Sequence, residues 1–554
     1  MNALVIGVIT IIAYILAYRW YARFFGDRVL ALDPVRRTPA HEQEDGIDFV
    51  PTRRIVLFGH HFASIAGLGP ILGPAIAVIW GWLPGVLWIL LGSIFIGCIH
   101  DLSALYISIR NRGRSIGDVT RVLVGPRAHI LFLLLIFFVL SLAMGTFVRI
   151  IATLFSSAHH PESVIPVMAL VVLAVIVGSL VYRKRVKLAP ATIVALIVMF
   201  LTIWLGLRYP VRGIGQTAWV FILITYAYIA SVLPVWLLLQ PRDYLNAYQL
   251  VIGMVLMYAG LFVFHPTITA PAINHVETGA PPLFPFLFIT VACGAISGFH
   301  SLVSTGTTSK QLDRESDALP IGYGGMLAEG LLAMIVLLAC TAGVSRAEWF
   351  DRYSSWQAAS GLAAKMEAFV MGAGTFISKI GIPIDIARSF IVVMAVGFAM
   401  TTLDSGTRLL RYNLEELGEG LRIRPLRNRF IAAVVAVLGI AYFSLMTVEG
   451  KPAGLTLWEL FGTTNQVLAA LGLLAVSLFL YRLGKPILYT LIPMIGMMAM
   501  TLTAMIMKLG TNLAQRHWPL LAVGSVILIL VLWLIVESVA AFRRHLKGHA
   551  ETER

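Results

Sequence analysis

The sequence predicts an all-α polytopic membrane protein with a five-plus-five inverted-repeat core, one leading helix and about four trailing helices. Of the 554 residues, 58% are hydrophobic and only 13% are Asp, Glu, Lys or Arg, whereas a soluble domain carries about 25% charged residues. Apolar runs of about 17 residues or more recur along the chain, and each is long enough to cross a hydrocarbon core roughly 30 Å thick. Clustered Gly and Pro interrupt some of these runs. This composition excludes a soluble enzyme, a disulfide scaffold and a disordered chain.

Fifteen apolar segments are long enough to span a membrane. A weaker stretch at 366–382 contains three glycines and is predicted to be a short re-entrant or surface segment. The predicted domains are an N-terminal helix with a cytoplasmic linker (1–53), a ten-helix core (54–412), and C-terminal peripheral helices with a basic tail (413–554). The predicted spans are 2–19, 54–80, 83–109, 128–156, 163–182, 188–207, 215–239, 246–264, 284–306, 320–344, 384–407, 430–448, 456–480, 486–507 and 518–541.

The basic residues predict the orientation of these spans. With the N-terminus outside and the C-terminus inside, the inner segments hold roughly three quarters of the 42 Lys and Arg residues, as the positive-inside rule requires. The segment Met1–Tyr18 has no basic leader and no small-residue cleavage site, so it is predicted to be a retained helix. The net charge of +14 is explained by this topology and by lipid headgroups, and no nucleic-acid partner is expected. Cys98, Cys293 and Cys340 lie in apolar runs and are predicted to be buried, with neither a disulfide nor a metal role.

The second span contains the strongest predicted break. Residues 59–74 include two prolines and four glycines, so a continuous helical hydrogen-bond ladder is not expected. The freed backbone groups can face ions or an anionic substrate, and the alternative is a kinked helix that packs closely through its small residues. The candidate substrate contacts in this segment are His61, Ser64, Ala66, Gly67 and Gly69.

A second break is predicted at Ser231–Trp236 in the seventh span, where Pro234 interrupts the apolar run. Spans two to six and seven to eleven then form two five-helix halves of opposite orientation, each opening with an interrupted helix. This arrangement is typical of inverted repeats that bind a solute near the membrane midplane. We therefore expect Ser64–Pro70 and Ser231–Trp236 to face each other across a central cavity. Further candidate substrate contacts are Ser231, Pro234, Trp236 and Arg149, and snorkelling to the outer surface explains Arg149 equally well.

Hydroxyl groups in the ninth span form a candidate cation site. Ser301, Ser304 and Thr305 fall at i, i+3 and i+4 and so share one helix face, which is predicted to approach the carbonyls near Ala63 and Ala66. The alternative, which the local spacing favours, is that the hydroxyls bond to carbonyls of their own helix.

Ionisable residues inside spans are costly and mark functional sites. Asp404 and Arg408 fall at i, i+4 and are predicted to pair, either as a gate at the inner mouth or as a static pair. His100 and Asp101 are adjacent and are expected to need separate partners, and Glu329 is an isolated candidate for protonation. The candidate ion-coupling residues are Ala63, Asp101, His300, Ser301, Ser304, Thr305 and Glu329.

Several long segments resemble the carbon starvation protein A family of prokaryotic inner-membrane transporters. The resemblance implies the five-plus-five core of the amino acid–polyamine–organocation superfamily, and proton-coupled uptake of pyruvate or small peptides under nutrient limitation. One departure is Ala395, which stands where the family carries a glutamate nine residues before the position of Asp404. The matching segments are GHHFASIAGLGPILGP, IHDLSALYISIRNRGRSIGD, ASVLPVWLLLQPRDYLN, GAISGFHSLVSTGTTSK, DALPIGYGGMLAEG, TTLDSGTRLLRY and LWELFGTTNQVLAA.

The sequence and this resemblance together predict a secondary active transporter, not an enzyme, in the plasma (inner) membrane of a prokaryote. It is expected to import pyruvate or small peptides by symport with H⁺ or Na⁺, with no other cofactor. No Walker-type nucleotide loop occurs in the sequence, which argues against direct ATP coupling. The alternative is a membrane nutrient sensor that signals through a partner. The sequence chooses neither between pyruvate and peptide nor among oligomeric states.

Overall fold

The computed structural model is almost entirely helical. It describes residues 1–184, 186–356, 362–448, 451–452 and 454–552, where the one sheet is a two-residue antiparallel pair, Thr447–Val448 with Lys451–Pro452. The helices of seven residues or more in this part of the chain are α1 (Ala3–Leu30), α2 (Arg54–Ala66), α3 (Gly69–Trp80), α4 (Trp82–Arg110), α5 (Ile116–Leu123), α6 (Pro126–Leu154), α7 (Pro161–Val181), α8 (Leu188–Arg208), α9 (Gln216–Val232), α10 (Leu239–Phe264), α11 (Leu283–Thr290), α12 (Gly298–Gly306), α13 (Glu315–Ala342), α14 (Arg346–Arg352), α15 (Leu362–Ser378), α16 (Ile384–Gly420), α17 (Arg429–Leu445), α18 (Gly454–Arg482), α19 (Leu488–Ala514) and α20 (Trp518–Thr552).

This is a polytopic membrane protein. Among the described residues, eleven helices are long and apolar enough to cross a membrane, and the bent pair α2–α3 makes a twelfth. Every predicted span coincides with helix, but α9 and α17 are shorter apolar helices, and the ninth predicted span is divided into α11 and α12. Most residues in the apolar stretches of α6, α13, α16 and α18 are buried, whereas fewer than half of those in α7, α8, α19 and α20 are buried. The core is therefore built from the helices around α6 and α16.

The helix ends separate into two faces. On the face that we call inner, Arg110 pairs with Glu315, and Arg482 donates to the carbonyl of Leu123. On the opposite, outer face, backbone amides at the start of α1 and α4 donate to the loop that follows α10. This separation agrees with the alternation of sides that fifteen spans require.

Helix α15 corresponds to the weak apolar stretch at 366–382. Its Phe369 and Phe376 are fully buried, and its Gly372 lies against the carbonyl of Ala339 near the outer end of α13. Because α13 ends and α16 begins at the outer face, α15 adds no crossing of the membrane. The prediction that it does not span is consistent with this placement, but a surface position is wrong, since α15 packs into the outer half of the core.

Two membrane helices are discontinuous. The first break separates α2 from α3 at Gly67, whose φ is +48°, and the two helix axes differ by 41°. The second break comprises residues 291–297 between α11 and α12, where Gly294 has a φ of +103°. Glycine supplies both backbone conformations because they are strained for residues with a Cβ.

The two breaks lie against each other. A Cβ added at Gly69 would overlap the side chain of Cys293, and one added at Gly294 would lie 3.6 Å from the Cβ of Pro70. The facing partner of the first break is thus the break between α11 and α12, and the prediction of Ser231–Trp236 in that position is wrong. Helix α9 does end at Val232, before Pro234, but α10 begins at Leu239, seven residues earlier than predicted.

Candidate functional site

Four fully buried side chains form an acid–imidazole cluster (His100, Asp101, His300 and Glu329) between α4, α12 and α13. The two carboxylate oxygens of Asp101 lie 2.8 Å from Nδ1 of His100 and 2.8 Å from Nδ1 of His300. Nε2 of His300 lies 3.2 Å from Oε2 of Glu329. The prediction that His100 and Asp101 need separate partners is wrong, because the neighbours bond directly. Glu329 is not isolated, because His300 reaches it from α12.

A second buried group, the boundary cluster (His60, Ser64, Asp243 and Ser405), joins α2 to α10 and α16. Nδ1 of His60 lies 2.6 Å from Oδ2 of Asp243, and Oγ of Ser64 donates to the same oxygen over 3.2 Å. The hydroxyls of Ser64 and Ser405 are 2.9 Å apart. Nε2 of His60 and Oδ1 of Asp243 have no hydrogen-bond partner in the described structure, so this group retains unused capacity to bind a proton.

Asp404 forms its ion pair with Arg242 of α10. The phenol of Tyr226 donates to Asp404 over 2.6 Å, and Nη1 of Arg242 donates to the carbonyl of Met400 over 3.2 Å. The predicted pair of Asp404 with Arg408 is therefore wrong. The i, i+4 spacing permits that pair, but a guanidinium from α10 reaches Asp404 across the helix interface.

Arg408 lies instead at the inner mouth. Its Nη2 donates to the carbonyls of Ala230 and Leu233 at the end of α9, and its Nη1 is 3.6 Å from Oδ1 of Asp48 in the linker after α1. Tyr412, one turn further along α16, also donates to Asp48. Arg408 thus holds the linker and the end of α9 against α16.

The hydroxyl face of α12 follows the alternative that local spacing favours. Ser301 donates to the carbonyl of Gly298, and Thr305 donates to the carbonyl of Ser301, while the hydroxyl of Ser304 has no hydrogen-bond partner among the described residues. A hydroxyl of α16 approaches the first break. A Cβ at Gly67 would lie 2.6 Å from Oγ1 of Thr402.

The other predicted contacts are dispersed. Ser231 donates to the carbonyl of Tyr228, and the ring of Trp236 lies under Arg183 at the inner face, so neither residue meets the breaks. Arg149 is half-buried in the outer half of α6, and its Nε has no hydrogen-bond partner in the described structure. His61 is bonded to the hydroxyl of Thr308 over 2.9 Å. Ala63 and Ala66 are buried near the end of α2, and Pro234 follows the end of α9.

Sequence reasoning missed the polar stripe on α10. Arg242, Asn246 and Gln249 recur at i, i+4 and i+7, and all three are buried, yet the first two fall at or before the predicted start of that span. The signal was present, because proline is tolerated in the first turn of a helix, and Pro241 marks such a start. The asparagine Asn465 was also missed. Its side chain accepts from the amide of Phe299 over 2.8 Å and so supports the first turn of α12.

Comparison with known proteins agrees with this architecture. The chain matches the family described as Carbon starvation protein CstA over residues 2–361 and 347–504. It is 34% identical to the peptide transporter CstA of Escherichia coli strain K12, covering 91% of this chain and 81% of that protein. The chain belongs to the carbon starvation protein CstA family. Like its relatives, this CstA-family protein is a membrane transporter and not an enzyme.

Two further relatives differ in the substrate that their names give. The peptide transporter CstA of Bacillus subtilis strain 168 is 32% identical, over 89% of this chain and 88% of its own length. The pyruvate/proton symporter BtsT of Escherichia coli strain K12 is 31% identical, over 93% and 83%. A crystal structure of the Eremococcus coleocola manganese transporter aligns with a TM-score of 0.43 and 12% identity, covering 90% of this chain and 99% of that one. A similarity this low says nothing about the substrate.

Proposed function

We propose that this protein is a proton symporter that imports a small carboxylate-bearing solute, pyruvate or a short peptide, across the plasma membrane of a prokaryote. The observation that carries the proposal is the meeting of two antiparallel discontinuous helices at their breaks, beside buried titratable groups. Such breaks bind solutes in inverted-repeat transporters. The relatives named as peptide transporters and as a pyruvate/proton symporter support the solute class.

The proposed core is a five-plus-five inverted repeat. One half comprises α2–α4, α6, α9 and α10, and the other comprises α11–α13 and α16–α18, with the hairpin α7–α8 inserted in the first half. Matched contacts support this assignment. Several contacts between the halves have a counterpart related by the repeat. The contact of α3 with α13 corresponds to that of α12 with α4, and the contact of α6 with α17 corresponds to that of α16 with α9. The contact of α6 with α18 corresponds in the same way to that of α16 with α10. The core then extends to residue 482, beyond the predicted limit at 412.

The boundary cluster is the proposed coupling site. Alternating access moves one group of helices against another, and α2 belongs to the group that includes α3, α4 and α11–α13. Opening the inner side by moving α2 breaks the contacts of His60 and Ser64 with Asp243. A proton on this pair changes the strength of those contacts, so protonation and opening are coupled.

The solute is proposed to lie at the first break. Ser64, Ala66, Gly67 and Gly69 surround the point where α2 ends and α3 begins, and a helix N-terminus attracts a carboxylate. His61 lies on the same helix. Arg149 is proposed to attract the anion from the outer side, and Arg408 to close the inner mouth.

The remaining predicted ion-coupling residues lie elsewhere. Asp101, His300 and Glu329 join three helices of one moving group, so rocking does not separate them. For these three residues we propose a role in binding an ion. The predicted role of Ser301, Ser304 and Thr305 in ion coupling stays a prediction.

Uptake into proteoliposomes tests the proposal. Labelled pyruvate and labelled dipeptides are offered separately under an imposed proton gradient or an imposed sodium gradient. We expect saturable uptake of one solute class, driven by the proton gradient alone. Asp243→Asn should lose the response to the gradient, whereas Asp385→Asn, an exposed aspartate at the start of α16, should keep it. Uptake of neither solute under either gradient would contradict the function, and sodium-driven uptake would contradict the coupling ion.

A further inference from the structure

We propose that Cys293, His300 and Glu329 together bind one divalent transition-metal ion, with the preferences of Zn²⁺, inside the membrane. One ligand atom from each residue, the thiol sulfur, an imidazole nitrogen and a carboxylate oxygen, lies within 4.8 Å of the other two. All three side chains are buried. Ligand atoms around a tetrahedral zinc ion with bonds of about 2.0–2.3 Å stand roughly 3.5 Å apart, so small side-chain rotations close the site.

The imidazole nitrogen and the carboxylate oxygens at this point lack hydrogen-bond partners among the described residues. Nε2 of His300 and both carboxylate oxygens of Glu329 make no hydrogen bond within the described structure. The distance from Nε2 to Oε2 is 3.2 Å, but its geometry is not that of a hydrogen bond. Leaving buried polar atoms unpaired costs about 1–3 kcal/mol each, and more for charged groups. A metal ion satisfies all of them at once.

The surrounding residues orient the ligands as metal sites require. A metal-binding histidine usually donates its other ring N–H to a carboxylate, and Nδ1 of His300 lies 2.8 Å from Oδ2 of Asp101. When the neutral ring carries its proton on Nδ1, in contact with Asp101, the lone pair of Nε2 is free to bind a metal ion at the site. Asn465 places its Nδ2 at 3.8 Å and Ser297 its hydroxyl at 3.4 Å from the sulfur of Cys293, so both can donate to a thiolate.

The donor set selects the type of metal. One thiolate, one imidazole and one carboxylate carry two negative charges, which match a divalent ion. Thiolate and imidazole suit Zn²⁺ and its transition-metal neighbours, whereas Mg²⁺ and Ca²⁺ prefer oxygen ligands. Three protein ligands leave a fourth position for water or another small ligand.

The position of the site defines its role. Cys293 lies in the second break, His300 on α12 and Glu329 on α13, so the ion would fix the non-helical segment to two neighbouring helices. Cys293 also lies directly against Gly69 of the first break. Metal binding would therefore set the shape of the place where the two breaks meet, without taking part in the rocking movement.

Metal content of the purified full-length protein tests this proposal without a transport assay. The protein is stripped with a chelator in detergent and reloaded with Zn²⁺ or Co²⁺. We expect about one ion per chain, a thiolate-to-cobalt charge-transfer band in the near ultraviolet, and one sulfur neighbour at about 2.3 Å in zinc X-ray absorption. Cys293→Ser should abolish the band, and Glu329→Gln should lower the metal content. Cys340→Ser, which changes a buried cysteine of the same type on α13, should preserve both.

A wild-type protein that retains neither ion after reloading would overturn the site, as would bound zinc without a sulfur neighbour. Loss of the band in Cys340→Ser to the same extent would overturn the assignment of the ligand. The X-ray absorption measurement uses the unchanged protein, so a failure of the variants to fold does not decide the result.

Discussion

The buried ion pair of Arg242 and Asp404 joins α10 to α16 without access to solvent. Removing one charge of such a pair leaves the other uncompensated, which costs about 3–5 kcal/mol of stability. We expect Asp404→Asn and Arg242→Gln each to lower the apparent melting temperature in detergent strongly. The double variant Arg242→Met with Asp404→Leu should recover much of the loss, because neither charge remains buried.

The apparent melting temperature also distinguishes the pair of Asp404 with Arg242 from the pair of Asp404 with Arg408 that the i, i+4 spacing predicts. Combining Asp404→Asn with Arg408→Gln should give no recovery, since Arg408 bonds to the end of α9 and to Asp48. Recovery in that double variant would show that Asp404 and Arg408 pair in the membrane.

Gly67 has a backbone conformation that other residues rarely adopt, and a Cβ there would lie 2.6 Å from Thr402. We expect Gly67→Ala to cost about 1–3 kcal/mol in strain and to reduce solute uptake severely. Adding Thr402→Ala should relieve the clash but not the strain, so stability should return only in part. Gly496→Ala is the control, because nothing lies within 4 Å of that position. Equal uptake by Gly67→Ala and the control would contradict the role of the break.

At the scale of residues, the sequence identifies which buried groups matter but not their partners. Asp404, Arg408, His300 and Glu329 stand out because charge is costly within a span. Their partners come from other helices, and the local i, i+4 rule favours the wrong neighbour for Asp404. The burial of Asp243 was not predictable from the proposed span boundary, which left it in a loop.

At the scale of elements, the linker after α1 is held to the inner face by several contacts, and Asp48 makes those to α16. This side chain accepts from Tyr412 and lies 3.6 Å from Arg408. Hydrogen bonds to charged groups contribute about 1.5–3 kcal/mol. We therefore expect Asp48→Ala to raise the rate of tryptic cleavage in the linker about tenfold or more, measured with the inner face accessible.

Glu44→Ala is the control for this experiment, since Glu44 is an exposed residue of the same linker. Cleavage of the two variants at the same rate would show that Asp48 does not hold the linker, and that Arg408 does not close the inner mouth through it.

The sequence predicts the helical elements well and their interruptions only in part. The break at Gly67 follows from the density of Gly and Pro between residues 59 and 74. The break at 291–297 has few such residues, because Gly294 and Gly298 stand in an apolar context. Hydropathy therefore predicts one continuous span over this break. The break becomes visible in the structure, through the positive φ of Gly294 and the packing of Cys293 against Gly69.

At the scale of the whole molecule, the orientation in the membrane is the remaining prediction. Glu44 and Glu277 are exposed loop residues on the inner and outer faces, and all three native cysteines are buried. A membrane-impermeant maleimide should label Glu277→Cys in intact cells, and should label Glu44→Cys only after the cells are opened. The reverse pattern would contradict the positive-inside assignment.

The alternation of sides was predictable because it depends only on counting spans and charges. The division into halves that we propose was not, because the hairpin α7–α8 has the hydropathy of a core element, although α8 in particular is largely exposed. Counting spans in sequence order therefore places the start of the second half two spans earlier than the proposed division does.

The two faces are closed by different kinds of contact. Charged side chains hold the inner face, including Arg36 and Arg110 with Glu315 and Arg408 with Asp48. Backbone hydrogen bonds hold the outer face, such as those from Trp82 to Pro271 and from Thr269 to Thr341. Mobile ions screen partly exposed charges over about 8 Å at physiological ionic strength but have little effect on amide–carbonyl bonds. Because Glu315 and Arg408 are buried, we expect salt on the inner side to weaken mainly the half-exposed contact of Arg36, and to leave the backbone contacts of the outer face unchanged.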